Sequence, residues 1–304
     1  MHYGLDVGGT KMEFAMLDRE LHRLATYRRE TPGHDYEAFL TAIADMIAKA
    51  DRTGGVKGSL GIGMPGFVGG EGRATSSNIP CINGRRLLTD LTERLDRPVA
   101  FENDTNALII SEVNGGAARG MKHALGVVIG TGLASGLCID GEIYHGSRHR
   151  AGECGHTPLP APLQQRYELP LRPCGCGLVG CVEQYLTGPG LLWLSGHFGG
   201  EYPSVQALLE DLRHGQGQAG EIFAAYMDCL GCFFAQLCLN WDPDVIVLGG
   251  GLSAINEIYR GLPAGAARYL FAGYGFPALA APAFGGASGA RGAAILGRRL
   301  VLEA

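Results

Sequence analysis

The apolar positions of this chain fall into two registers. Short, nearly unbroken apolar runs at 3–7, 12–17, 59–64, 98–102, 125–129, 136–139 and 244–248 have the length and bounding residues of strands buried on at least one face. Between them, apolar residues recur at helical spacing. Residues 35–50 put Phe39, Ile43 and Ile47 on one face behind Asp35, a residue type suited to an N-cap. Further helices are predicted at 87–95, 190–198, 204–212, 220–239 and 288–300, and another starting near Ala107. The one at 220–239 has its apolar stripe on Ile222, Tyr226, Cys229, Phe233 and Leu237, so Cys229 and Cys232 read as core packing rather than a redox pair. Residues 21–30 extend the first sheet.

The strands come in two similar sets. Residues 3–17 run strand, Gly8-Gly9-Thr10-Lys11, strand; residues 125–139 repeat the pattern around Gly130-Thr131-Gly132, and Asp140-Gly141 turns the chain again. This repetition predicts two similar α/β domains facing one another across a cleft, one made of 1–118 with 289–304, the other of 119–288.

Composition bounds the function. The chain has 304 residues, 46% of them hydrophobic, enough to bury a full core in two domains. Twenty-five Lys plus Arg against thirty Asp plus Glu give a net charge of -5, which argues against general nucleic-acid or membrane-surface binding. The start, Met1-His2-Tyr3-Gly4, has no basic and apolar signal region, and no uninterrupted apolar run looks long enough to span a bilayer. Together with an odd number of cysteines, nine, this predicts reduced thiols in a cytoplasmic protein.

The densest chemistry lies between Gly152 and Glu183. Cys174, Cys176 and Cys181 fall within eight residues, separated by Gly175, Gly177 and Gly180, which allow the tight turns that converging sulfurs need. His156 is the natural fourth ligand, and a closed Cys₃His shell suits a structural zinc. The alternative is three buried or disulfide-bonded cysteines beside an unrelated histidine. A metal would tie together Glu153 and Glu183, which are thirty residues apart.

Three other stretches carry polar groups at strand ends. Gly8-Gly9-Thr10-Lys11 is either a plain hairpin turn or a cradle of amides, hydroxyl and ammonium for phosphates; its Thr-Lys order and the strand after it exclude the P-loop pattern. Glu102-Asn103-Asp104 either caps a helix or holds a carboxylate where α/β folds bind ligands. Gly249-Gly250-Gly251, entering a helix, is either a tight turn or a backbone surface for a flat ring or phosphate. The loop-rich segment 69–84 adds Ser76, Ser77 and Asn78 as partners for a hydroxylated ligand.

Taken together, Asp6-x-Gly-Gly-Thr-Lys11, Asn103-Asp104, Gly130-Thr131-Gly132, Glu153-x-Gly-His156, the Cys174/Cys176/Cys181 cluster and Glu183 resemble the ROK family of sugar kinases and repressors across essentially the whole chain. Within it, Tyr3-Gly4-Leu5-Asp6, Leu95-Asp96-Arg97, Leu169-Pro170-Leu171-Arg172 and Gly292-Ala293-Ala294 look most like the bacterial N-acetyl-D-glucosamine kinases. The resemblance implies a two-domain actin-like ATPase (ribonuclease H-like) α/β fold, a homodimer, and phosphorylation of N-acetyl-D-glucosamine at its 6-hydroxyl by ATP with Mg²⁺. Glucokinase, fructokinase and N-acetylmannosamine kinase are the alternatives within the family.

Residue by residue, it makes Asp104 the general base and Asn103, Glu153, His156 and Glu183 sugar contacts, with zinc on His156, Cys174, Cys176 and Cys181. Gly4, Leu5, Asp6, Val7, Gly8, Gly9, Thr10 and Lys11 would line the phosphates, with Asp6 an outer-sphere ligand of Mg²⁺. Gly130, Thr131, Gly132, Leu133, Ala134, Ser135, Gly136 and Leu137 would line them from the second domain, and Gly250 and Gly251 would lie against the nucleotide. The chain departs from the family at Leu133-Ala134-Ser135, where another glycine or two is usual and the Ala134 methyl would crowd the phosphate path. Gly66 and Asn78, in the loop 65–83, are expected to face the sugar's C2 substituent.

Two other function classes are disfavoured. A sugar-responsive DNA-binding regulator needs a winged-helix segment before the first strand, whereas Asp6 lies five residues from Met1 and the charge is acidic. A zinc hydrolase needs an open coordination position, which a Cys₃His shell does not leave.

Overall fold

The computed structural model describes residues 1–69 and 72–303; the loop 65–83 is therefore seen except for residues 70 and 71, which lie outside the described residues. The chain divides into two compact units, one of Met1–Gly126, Gly136–Ala151 and Pro282–Ala304, the other of Val127–Ser135 and Gly152–Ala281.

In the first unit, β1 (His2–Val7), β2 (Lys11–Leu17) and β3 (Arg23–Glu30) form an antiparallel meander. Helix α1 (Tyr36–Gly54) then crosses to β4 (Ser59–Met64), which runs parallel to β1. Asp35 caps α1 by accepting the Ala38 N–H, and Gly55 ends it in the left-handed conformation, so the helix runs four residues past the sequence-based limit at 50. A short hairpin, β5 (Phe67–Val68) and β6 (Ala74–Thr75), precedes α2 (Leu87–Leu95), and β7 (Val99–Asn103) joins parallel to β4. The sheet order is β3-β2-β1-β4-β7. Its core side buries Tyr3, Leu5, Phe14, Phe39, Ile43 and Ile62.

Helix α3 (Asp104–Val113) begins three residues before the expected Ala107, because Asn103 accepts the Thr105 N–H and caps it. The sequence pattern misses this start because the first turn, Asp-Thr-Asn, has no apolar residue. Strands β8 (His123–Ile129) and β9 (Leu133–Ile139) contribute residues to both units; β9 turns through Asp140 and Gly141, both at positive φ, into β10 (Glu142–Ile143).

The second unit adds α4 (Ala161–Arg166), α5 (Glu183–Leu186), α6 (Gly188–His197), α7 (Val205–His214), α8 (Ala219–Trp241), β11 (Val245–Gly249), α9 (Asn256–Ala267) and β12 (Ala278–Ala280). The second sheet has the order β10-β9-β8-β11-β12, matching the first position by position. The apolar pattern does not disclose α9 or β12, since Pro263 interrupts the helix and the strand is three residues long. Helix α8 is long and apolar enough to cross a membrane by length and composition alone, but its apolar run is interrupted by Asp228 and it is mostly buried inside the protein. It is a core helix.

The chain closes with α10 (Ser288–Leu302), which returns to the first unit. A Cβ on Gly4 would lie 1.7 Å from the Ala290 carbonyl oxygen, one on Gly61 1.9 Å from that of Ala293, and one on Gly292 1.7 Å from that of Ala107. Strands β1 and β4 and helix α3 thus touch α10 backbone to backbone, which only glycine allows.

Candidate active site

In the first unit, β1 delivers Asp6 to the base of the β1–β2 turn. Gly8 donates its N–H to the Lys11 carbonyl at 2.9 Å, and the Thr31 hydroxyl donates to the Gly8 carbonyl at 2.7 Å, which leaves Gly9, Thr10 and Lys11 exposed at the tip. Gly9 is approached from the side by Asn78, whose carbonyl oxygen would lie 2.7 Å from a Cβ there. Asn78 therefore stands beside the glycine turn, held by its N–H bond to Ser76 Oγ at 3.2 Å. Gly66, at φ 110, lies so close to Thr75 that a side chain would collide with its carbonyl. Its own carbonyl accepts Asn103 Nδ2 at 3.3 Å. Gly66, Asn78, Asn103 and the β1–β2 turn are thus parts of one surface.

Asp104 opens α3 beside them, accepting the Thr105 N–H at 2.8 Å. Burial raises its pKa above the ordinary carboxylate range despite that bond. Asp6 is pushed up to about 7, first by burial, then by the charges of Asp104 and Glu13, against the opposing Lys11. Two half-buried carboxylates of raised pKa, one feeling the charge of the other, form a site prepared for a cation or a proton.

The sequence pattern gives Glu102 no role beyond that of a strand residue. In the structure its Oε1 accepts the Asn103 N–H at 2.8 Å and Asn106 Nδ2 at 2.9 Å, and its Oε2 lies 2.5 Å from His145 Nε2. Burial acts to raise its pKa, but hydrogen bonds from His145, Asn106 and Asn103 outweigh this and hold it below the usual range. His145 is raised, first by its bond to Glu102. Adjacency to Asn103 is the one sequence signal for Glu102.

In the second unit, the stretch 152–183 folds around the thiols. Leu159 donates its N–H to Gly180, and Val182 to Thr157, which draws His156 against Cys181. Gly177 and Gly180 take positive φ and bend the Pro173–Val179 loop back on itself. One ligand atom from each of His156, Cys174, Cys176 and Cys181 lies within 4.8 Å of all the others. Cys176 Sγ is 3.7 Å from Cys181 Sγ, and Cys174 Sγ is 3.6 Å from His156 Nδ1. Tetrahedral zinc with ordinary bond lengths has S···S and S···N edges of about 3.7 and about 3.5 Å. The nine cysteines are all free of disulfides.

With Nδ1 turned to the sulfurs, the other ring nitrogen of His156 sits 3.7 Å from Glu153 Oε2. Glu183, at the start of α5, has Oε1 3.9 Å from Cys174 Sγ and uses Oε2 to accept the Leu133 N–H at 3.0 Å. Leu133 directly follows Gly130-Thr131-Gly132, so the thiol cluster and this turn are joined through one carboxylate. Gly250, at φ 80, lies against the end of β8, where a side chain would strike Ile129, and Gly251 approaches Gly130. The glycine stretch enters a single 3-10 turn at Gly251–Ala254 rather than α9 itself.

The remaining expected phosphate residues are more enclosed. Leu133, Ser135, Gly136 and Leu137 are buried in β9, and Gly136 packs on Asn106 and Thr105 of α3. Ala134 is half-buried and in the strand, so the departure from the family pattern falls in regular β structure rather than in the turn.

The family model for the ROK family matches residues 2–299. The chain belongs to the ROK family. It is 46% identical over 300 residues to the N-acetylgalactosamine kinase AgaK of Shewanella sp. (strain ANA-3), spanning 99% of this chain and 97% of that protein. It is 39% identical to the N-acetyl-D-glucosamine kinase of Photobacterium profundum, over 97% of this chain and 99% of that one. Among solved structures, the ROK family glucokinase from Streptomyces griseus in complex with glucose and AMPPNP superposes with a TM-score of 0.80 at 29% identity, covering 98% of this chain and 99% of its own. The ROK chain therefore has the two-sheet, actin-like ATPase fold expected from its sequence, and it is a sugar kinase by family.

Proposed function

We propose that this ROK protein transfers the γ-phosphoryl group of ATP to the 6-hydroxyl of an N-acetylhexosamine. The observation that carries the reading is the placement of Asp104: a half-buried carboxylate of raised pKa at the head of α3, beside Asn103, Gly66 and Asn78. Phosphoryl transfer needs positioning and charge neutralisation more than covalent chemistry. Asp104 accepts the proton of the attacking hydroxyl, and its raised pKa makes it a stronger base near neutral pH. Asn103, Glu153, His156 and Glu183 take the ring hydroxyls, with His156 Nε2 left for the sugar once Nδ1 is committed to the thiols.

The amides of Gly8 and Gly9, with Thr10, Lys11 and the Gly130-Thr131-Gly132 turn, receive the phosphates. Gly250 and Gly251 supply backbone surface for the nucleotide, for which the AMPPNP-bound glucokinase offers a parallel. Mg²⁺, when bound with the nucleotide, neutralises phosphate charge; Asp6 is the residue suited to hold its water shell. Zinc fits the donor set of His156, Cys174, Cys176 and Cys181 and has a structural role in this reading. Domains of 1–118 with 289–304 and of 119–288, and a homodimer, complete it.

The higher identity to an N-acetylgalactosamine kinase supports N-acetyl-D-galactosamine as first substrate, and the several N-acetyl-D-glucosamine kinases at 36–39% keep N-acetyl-D-glucosamine as second. The two differ only at C4, so both carry the acetamido group at C2. A site that hydrogen-bonds that group leaves buried polar atoms unpaired when glucose or galactose binds. ATP-coupled assays with both N-acetylhexosamines, N-acetylmannosamine, glucose, galactose and fructose test it. The acetylated substrates should exceed their unacetylated counterparts by at least about tenfold in kcat/KM. Preference for glucose or fructose would overturn the N-acetylhexosamine assignment.

A further inference from the structure

The strand–helix junction that presents Asn103 and Asp104 is held from behind by Glu102. One of its oxygens receives a backbone N–H from the end of β7 and a side-chain N–H from the first turn of α3; the other is taken by His145. Three donors from a strand, a helix and the segment after β10 thus converge on a carboxylate whose side chain is 13% exposed. Asn103 in turn is bonded through its N–H to Glu102, through Oδ1 to the Thr105 N–H and through Nδ2 to Gly66. A shift of Glu102 therefore moves the residue before the base and the first turn after it together. The Asn106 side chain has no second hydrogen bond among the described residues, since its Oδ1 is buried without a partner.

We propose that His145 is a positioning residue for phosphoryl transfer: its imidazole fixes Glu102, and Glu102 fixes the junction that aims Asp104. This rests on the kinase reading above. The pair is a charge-assisted hydrogen bond, the kind whose loss leaves a buried acceptor short of a donor. The groups that bear on His145 besides Glu102 are the His149 ring, with centroids 5.1 Å apart, and the carboxylate of Glu142. Neither reaches Glu102 in the described hydrogen bonds. The same segment has a second hold on the first unit, because the Arg150 guanidinium lies 4.3 Å over the Phe67 ring. Removing the imidazole therefore frees Oε2 of Glu102, leaving it held through Oε1 alone, while Arg150 still anchors the segment.

The test is steady-state kinetics of the full chain with ATP and N-acetylhexosamine, for wild type, His145→Ala and His145→Gln, with melting curves alongside. The Gln amide stands close to where Nε2 was and still donates to Glu102. His145→Ala should lower kcat by about ten- to a hundredfold with sugar and ATP KM within about twofold, because misplacement of a reacting group acts on turnover. His145→Gln should recover most of the loss. A kcat within twofold of wild type in His145→Ala, an effect on KM alone, or a Gln variant no better than Ala would each overturn the assignment. A wild-type chain inactive on every sugar would bring down the kinase reading and this inference with it, whereas an active wild type with an indifferent His145→Ala brings down this inference alone.

Discussion

Glu183 Oε2 accepts the backbone N–H of Leu133 at 3.0 Å, while its other oxygen lies 3.9 Å from Cys174 Sγ. One carboxylate thereby connects the thiol cluster to the strand that leaves the Gly130-Thr131-Gly132 turn. A metal that orders the cluster orders the start of β9 as well.

Purified protein should hold about one zinc per chain by elemental analysis. Cys176→Ser should release it, lower the melting temperature, and weaken nucleotide as well as sugar binding, because Glu183 loses its fixed position. Full activity in a protein shown to contain no metal would deny the cluster any part in ordering the site.

Asp104→Asn retains the shape of the side chain and its acceptance of the Thr105 N–H, so the fold should persist. Turnover should fall about 10²- to 10⁴-fold, with sugar affinity little changed. Near-normal turnover in this variant, measured beside an unchanged melting curve, would refute the assignment of the base.

Stability of the ligand-free protein should decrease between about pH 5 and pH 8. The folded pKa of Asp6 is raised from 3.8 to about 7, so the native state holds a proton there that the unfolded chain has released. The associated stability is complete below the unfolded value and is lost as pH rises through the folded one. Asp104, also raised, acts in the same direction, and so does His145, whereas lowered Glu102 contributes only on the acid side. Melting temperatures across this range should fall, and Asp6→Asn should flatten the slope. An unchanged slope in Asp6→Asn would dismiss the half-buried pair as its cause.

Asp228 is 2% exposed in α8 and is bound by Arg166, Arg268, Tyr167 and Tyr269, which brings α4 and the end of α9 onto the core helix. Asp228→Ala leaves four donors without their acceptor, and since Arg166 and Arg268 are more than half exposed and regain water, it should cost about 1–3 kcal/mol of unfolding free energy. Urea titration of the variant measures this, and a loss below about 1 kcal/mol would show that the network contributes little.

Much of this is legible in the chain because it depends on local chemistry. Period and punctuation show most strands of both sheets, though not β12, and the spacing of Cys174, Cys176, Cys181 and His156 anticipates the cluster. What escapes depends on tertiary placement. Nothing in Tyr144-His145-Gly146 announces a partner forty-three residues earlier, and Glu102 looks like one more polar residue at a strand end. Asn103 displays both of its possible roles at once in the sequence; the structure shows it capping α3, and capping is also what holds it next to Asp104.

The close seat of α10 on β1 and β4 has a bearing on how the protein is made. Gly4 leaves the ribosome well before Ala290, the residue whose carbonyl it rests against. During translation the first sheet must wait with that face uncovered, while Gly152–Ala281 can complete its own packing earlier. A chain terminated after Ala287 should therefore show the first unit selectively open to proteolysis and prone to aggregation, with the second still protected. Equal protection of both units would mean that the nascent first sheet does not depend on its final helix.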